Sequence, residues 1–192
     1  MVRKFVVYSK DASTAPSIRD LKAAGRIDIL LHSIISAMFA SNTYREDVEL
    51  HLILMGPPNA PRHITIKYDE KNTISKKDLK KLIEICLRKC YPGKIKEVHP
   101  GVFVDETTIE KLVIDLLKQT QNIYILDFAG ENIKKLKKKD LNDGVFILGD
   151  HDGFDKKVKK FLKKNVKRLS LGPQIYFTSQ AITIINYELD NL

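Results

Sequence analysis

The chain has 192 residues, 43% of them apolar, with 33 Lys and Arg against 24 Asp and Glu, a formal charge of +9. That length and apolar content suffice for a real buried core, which excludes a disordered tail, and two cysteines exclude a disulfide-built scaffold. The charge excess favours a polyanionic partner, with a solvated lysine-rich surface of the kind heat-adapted proteins carry as the alternative.

In chain order, MVRKFVVYSK reads as a first buried strand (3–9) and not as a signal peptide, since it lacks the apolar run and small-residue cleavage site. A long polar connection, 11–24, follows. Residues 27–39 repeat apolar side chains at Ile27, Leu30, Leu31, Ile34, Ile35 and Met38, the spacing of an amphipathic helix. Arg26 and Asp28 stand at its start, where Asp28 complements the helix dipole. This apolar-leaning segment is too short to span a bilayer, and the chain reads as soluble and intracellular.

Strands are expected over 48–55 and 63–68, joined by GPPNAPR, whose prolines make a stiff corner that presents Arg62. A helix is expected over 75–89 behind the N-cap SKKD, an irregular stretch over 91–105 with a short strand at 101–104, and a second amphipathic helix over 107–120. Cys86 and Cys90 share one helix face without further ligands nearby and read as small core residues. The remainder alternates: strand 122–126, short basic helix 131–138, strand 144–148, helix 155–164, strand 166–169 and a closing helix 179–189. Alternation of this kind predicts an α/β fold with a mostly parallel sheet and helices on both faces. The helix 155–164 carries only Val158, Phe161 and Leu162 as apolar residues among six lysines, a face for phosphate or for water.

Several chemistries are excluded by motif. GxxxxGK[ST], GxSxG and HExxH are absent, GDHDGFD has Phe161 at the twelfth position where a calcium loop needs Glu, and the five histidines lack metal-ligand spacing, so no metal is expected. Three strand-end loops remain, ILDFAG, LGDHDGF and LSLGPQIYFTS, rich in backbone and poor in ionisable groups. Loops of this kind suit a flat neutral heterocycle such as adenine, with ordinary glycine turns as the alternative reading.

LSLGPQIYFTSQAITIINYELD, with LGDHDGFD and ILDFAGEN upstream, resembles the SPOUT class of S-adenosylmethionine-dependent RNA methyltransferases. Within that class the chain is similar, over its whole length and including AGRIDILLHSIISAMFAS and GPPNAPR, to the archaeal tRNA pseudouridine N1-methyltransferases. The resemblance implies one methyltransferase domain over 1–192 with a C-terminal trefoil knot, roughly 122–192, that binds S-adenosyl-L-methionine. It implies methylation of pseudouridine in the T-loop of tRNA by a cytoplasmic homodimer, with ribosomal RNA as an alternative acceptor and a non-catalytic RNA-binding module as an alternative class. Carried over residue by residue, it places the cofactor against Leu126, Gly149, Leu171, Gly172, Pro173, Gln174, Ile175, Tyr176, Phe177 and Ile182. Arg26, Arg62 and Lys67 are then phosphate contacts, and Arg45 joins them on charge and placement. Asp28 becomes the candidate proton acceptor or ring-positioning group, beside its alternative as a salt-bridge partner of Arg26. The closing helix carries Ile184 and Tyr187 outside its main apolar stripe, which fits a subunit interface.

Overall fold

In the computed structural model, which describes residues 2–71 and 74–192, strand β1 (Arg3–Ser9) runs through the middle of an eight-stranded sheet. After it come α1 (Ile27–Met38), the two-residue strands β2 (Phe39–Ala40) and β3 (Thr43–Tyr44), β4 (Val48–Leu54), β5 (Arg62–Lys67) and α2 (Leu79–Arg88). The chain continues through β6 (Lys96–His99), β7 (Val102–Asp105), α3 (Ile109–Leu117), β8 (Ile123–Asn132) and α4 (Lys138–Leu141). It ends with β9 (Val145–Gly149), α5 (Lys156–Asn165), β10 (Lys167–Ser170) and α6 (Thr178–Asp190). The sheet order is β10-β8-β9-β1-β4-β5-β7-β6. From β10 to β4 every pairing is parallel, and from β4 to β6 every pairing is antiparallel. The result is the mixed, mostly parallel α/β sheet expected.

Strand alternation sorts the side chains between two layers. Phe5 and Val7 point into a core closed by α1, α2 and α6, while Val6 and Tyr8 point into a second core closed by α3 and α5. A strand buried on both faces needs an unbroken apolar run, which KFVVY supplies. On α5, Val158 and Leu162 are buried and the lysines face outward. Cys86 and Cys90 are buried free thiols, and burial pushes the Cys86 thiol up to about 12.

Two stretches depart from the sequence reading. Within the irregular segment, residues 96–99 add the edge strand β6. The basic helix expected over 131–138 is not formed as such. Glu131 and Asn132 instead extend β8 by pairing with Leu169 and Ser170, followed by a 3-10 turn at Ile133–Lys135 and the short α4. Ladder hydrogen bonds against β10 override the helix propensity that Glu131, Leu136 and the lysines supply, tertiary pairing winning over a local preference. Because Ile125 pairs with Arg168 and Glu131 with Leu169, residues 126–130 leave the ladder as an excursion. Gly130 closes it where a Cβ would lie 2.6 Å from the β10 backbone.

The far end of α6 is tied to the start of β1. The Arg3 guanidinium donates to Asn186 O and Oδ1 at 3.2 and 3.1 Å, to Asp190 Oδ1 at 2.8 Å and to Asp47 Oδ2 at 2.6 Å. Among the described residues no helix is long and apolar enough to cross a membrane.

Candidate active site

The carboxyl ends of the adjacent parallel strands β8, β9 and β10 bring three loops together: the 126–130 excursion, residues 150–155, and residues 171–177. Their backbones are closely fitted. At Gly149 a Cβ would lie 2.6 Å from Gly153 Cα, and Thr178 Oγ1, at the start of α6, donates to Gly149 O at 2.8 Å. Gly172 takes φ +115°, a region closed to most side chains. Between the loops lies a cavity of about 210 Å³ with aliphatic walls from Leu126, Leu148, Leu169, Leu171 and Ala181, and with Gly149, Gly172, Gln174, Ile175 and Tyr176 in its lining. Aliphatic walls with a few polar groups among them suit a nucleoside.

Of the residues expected at the cofactor, Leu126, Gly149, Leu171, Gly172, Gln174, Ile175 and Tyr176 line this cavity. Pro173 is exposed on the same loop, Phe177 faces the neighbouring cleft, and Ile182 lies fully buried in the core. Sequence reasoning did not single out Asp127, Phe128 or Thr178, which also border the cavity. Asp127 ion-pairs with Lys163 of α5 at 2.7 Å, and that lysine holds its carboxyl below the usual range.

A second cavity, about 430 Å³, opens beside the first. The start of α1 contributes Arg26, Asp28, Ile29 and His32, and the loop after β9 contributes Asp150 and His151. Asp150, Ile175, Tyr176 and Thr178 border both cavities. Arg26 caps α1 in the left-handed region at φ 61°, directly after Gly25 at φ +71°. Two successive left-handed residues turn the chain sharply, and for Arg26 that conformation costs on the order of 1 kcal/mol. The guanidinium then clamps Asp28 through two hydrogen bonds of 3.0 Å, Nε to Oδ1 and NH2 to Oδ2. Arg26 thereby holds the Asp28 carboxyl below its ordinary value. His32 could have been found from the sequence, being one helical turn beyond Asp28.

The other basic candidates lie outside both cavities. Arg45 makes a two-pronged pair with Asp190 at 3.0 and 2.6 Å. Arg62 is not presented by its corner: it is 8% exposed and bonds Glu106 Oε1 at 2.8 Å and Pro61 O at 2.9 Å. Lys67 ends β5 with Nζ 4.9 Å from the centroid of the Phe103 ring. Among the described residues no cluster of His, Cys, Asp and Glu is arranged to hold a metal ion.

Residues 2–192 match the family described as "Putative SAM-dependent RNA methyltransferase". The tRNA (pseudouridine(54)-N(1))-methyltransferase of Thermococcus kodakarensis is 33% identical over 203 residues, covering 100% of both chains. The protein of the same name from Methanocaldococcus jannaschii is 32% identical, covering 98% of this chain and 97% of its own. Among solved structures, Archaeoglobus fulgidus Nep1 bound to S-adenosylhomocysteine superposes with a TM-score of 0.68 at 13% identity, over 100% of this chain and 98% of the other. At that identity the likeness is one of fold.

Proposed function

The chain belongs to this family of S-adenosylmethionine-dependent RNA methyltransferases, and from that premise we propose that it methylates N1 of pseudouridine 54 in the T-loop of tRNA. The observation that carries the reading is the shared wall. A cavity with aliphatic walls shares Asp150, Ile175, Tyr176 and Thr178 with a cleft holding a two-pronged Arg–carboxylate pair.

The cofactor supplies an activated methyl group on a sulfonium. Pseudouridine is linked to ribose through carbon, so its N1 keeps a proton that uridine lacks. With the cofactor held in the first cavity, N1 would exchange its proton for the methyl, the proton leaving to solvent water. Asp28, kept ionised by Arg26, is suited to accept the N1–H hydrogen bond and fix the ring edge-on to the methyl. Its depressed pKa makes it a better orienting acceptor than a proton store. Orientation of this kind can lower a barrier by roughly 7–11 kcal/mol at best. Arg26, with its side chain 39% exposed, sits at the rim where an RNA phosphate would pass. Contacts from Arg45 and Arg62 require exchange of Asp190 and Glu106 for phosphate, and one from Lys67 requires its ammonium to leave the Phe103 ring.

We read the chain as one methyltransferase domain, with residues 122–192 as a knotted cofactor unit through which α6 passes, acting in the cytoplasm where tRNA is matured. The test is mass spectrometry of nucleosides after incubation with S-adenosylmethionine and either pseudouridylated tRNA, unmodified tRNA or ribosomal RNA. Methylpseudouridine should appear from the first substrate alone. Product from ribosomal RNA, or none from any, overturns the reading.

A homodimer is part of the same proposal. It is supported by the apolar surface left on and beside α6: Tyr187 is 65% exposed, Phe177 76% and Ile175 96%, with Ile184 half-buried between turns of the helix. Ile184→Glu should shift the protein from dimer to monomer in analytical sedimentation. A wild-type monomer at micromolar concentration would remove the dimer from the scheme.

A further inference from the structure

Among the described residues, one carboxylate bordering the two cavities has no lysine or arginine within ion-pair distance, although it feels Arg26 through space. Asp150, the first residue after β9, is 8% exposed and its side chain 1%. Its Oδ2 accepts from Ser9 Oγ at 2.5 Å and its Oδ1 from the backbone N–H of Asp152 at 3.0 Å. Both donors are neutral. The cation within ion-pair range is the half-exposed His151, 3.8 Å away and present only when protonated. The nearby full cations are engaged elsewhere: Lys10 bridges Asp152 at 3.1 Å and Asp11 at 3.6 Å, and Arg26 clamps Asp28.

The other acids drawn into the interior are treated differently. Glu49 has the permanent cation Lys4 at 3.0 Å, and Asp105 has the buried His63 at 3.1 Å, in hydrogen-bond reach where His151 stands 3.8 Å from Asp150. Burying a carboxylate costs several kcal/mol, and neutral donors ease that cost without cancelling the charge. A cationic ligand in the adjoining cavity would offset the part of that cost the neutral donors leave.

The place of Asp150 says which cation. A methyl group moving from cofactor to acceptor must cross the wall the two cavities share. That wall is made by Asp150, Ile175, Tyr176 and Thr178, and Asp150 is the carboxylate among them. We propose that the buried Asp150 carboxylate recognises the positive charge of S-adenosylmethionine at this crossing, so that the protein binds the charged cofactor more tightly than its neutral product. The proposal rests on the methyltransferase reading and adds to it a discrimination between two ligands that differ by one methyl and one charge. When the methyl leaves, sulfur becomes a neutral thioether, Asp150 loses its counter-charge and the product is released more readily. Ser9 is then a positioning residue, holding the carboxylate toward the crossing without contributing charge.

The test compares affinities by titration calorimetry for S-adenosylmethionine and S-adenosylhomocysteine in the wild type, Asp150→Asn and Ser9→Ala. Asparagine removes the charge and keeps one oxygen to accept from the Asp152 N–H, while its NH2 replaces the oxygen facing Ser9 and can donate to the Ser9 hydroxyl. Asp150→Asn should weaken S-adenosylmethionine roughly tenfold, the scale of a partly screened charge pair at contact range, while S-adenosylhomocysteine stays within about twofold. Ser9→Ala, with the charge intact, should preserve most of the wild-type ratio between the two ligands. Equal losses for both ligands in Asp150→Asn would mean a loop-shaping role and overturn the proposal, as would no loss for either. A ratio that collapses equally in Ser9→Ala would also overturn it. A wild type that binds neither nucleoside sinks the methyltransferase reading itself and the proposal with it.

Discussion

Replacing Gly25 by alanine is expected to destabilise the protein by about 3 kcal/mol or more and to abolish methyl transfer. At this position φ is +71°, and an added Cβ would stand 1.8 Å from Asp11 O and 2.3 Å from Asp11 C. The obstacle is backbone and cannot rotate away. It is also held from the other side, because a Cβ at Gly56 would lie 2.4 Å from the same Asp11 O. The polar connection after β1 is thus threaded between two glycine corners. Ser13 N donates to Ala24 O at 3.0 Å, Gly56 N to Ala12 O at 2.9 Å, and Thr14 Oγ1 to Gly56 O at 2.9 Å. Pushing Gly25 outward displaces Arg26 and with it the Asp28 clamp, so function fails along with stability. Gly93→Ala is the control: φ there is +69°, yet nothing lies within 4 Å of the added Cβ. It should cost about 1 kcal/mol, the conformational penalty alone. Urea unfolding of both variants measures the difference, and equal losses would show that the close approach to Asp11 does not matter.

The corner at Gly25 also marks where the sequence was readable. Apolar periodicity placed β1, α1, α3 and α6 within a residue or two at most ends, because each buries a continuous stripe that local spacing records. The three loops lining the first cavity were legible for a related reason: they follow buried strands that belong side by side in a parallel sheet. What spacing could not reveal were partners chosen at long range. Arg45 meets Asp190 across 145 positions and Arg62 meets Glu106 across 44, so residues that read as free cations are engaged within the fold. The continuation of β8 through Glu131 and Asn132 depends on ladder bonds from β10, which lies later in the chain. Asp150 looked like a member of a failed calcium loop. Its meaning comes from burial against Ser9, 141 positions away.

The same long-range logic makes Arg3 the side chain whose loss should be felt farthest from its own position. Arg3→Ala is expected to cost about 3 kcal/mol, at the lower end of the range for breaking a buried ion pair. The lower end applies because Asp47 and Asp190 keep side-chain exposures of 42% and 37% and can be rehydrated. Asn186 cannot, being 2% exposed, and its O and Oδ1 would both lose a charged donor. For a chain of this size the melting temperature should fall by ~6–12 °C. The effect should reach the site, since α6 begins at Thr178, which borders both cavities and holds Gly149. Affinity for S-adenosylhomocysteine should therefore weaken even though Arg3 touches neither cavity. Acid supplies a second readout. Arg45 first, and then Arg3, hold the Asp190 carboxyl below its ordinary value. A carboxyl depressed in the folded state stabilises fully above its unfolded pKa, near ~3.9, and that stabilisation fades as pH falls through the lower folded value. The stability gap between wild type and Arg3→Ala should accordingly be full near neutrality and narrow below about pH 4. A variant that melts within 2 °C of wild type, or a gap that widens in acid, would show that this guanidinium does not anchor the closing helix.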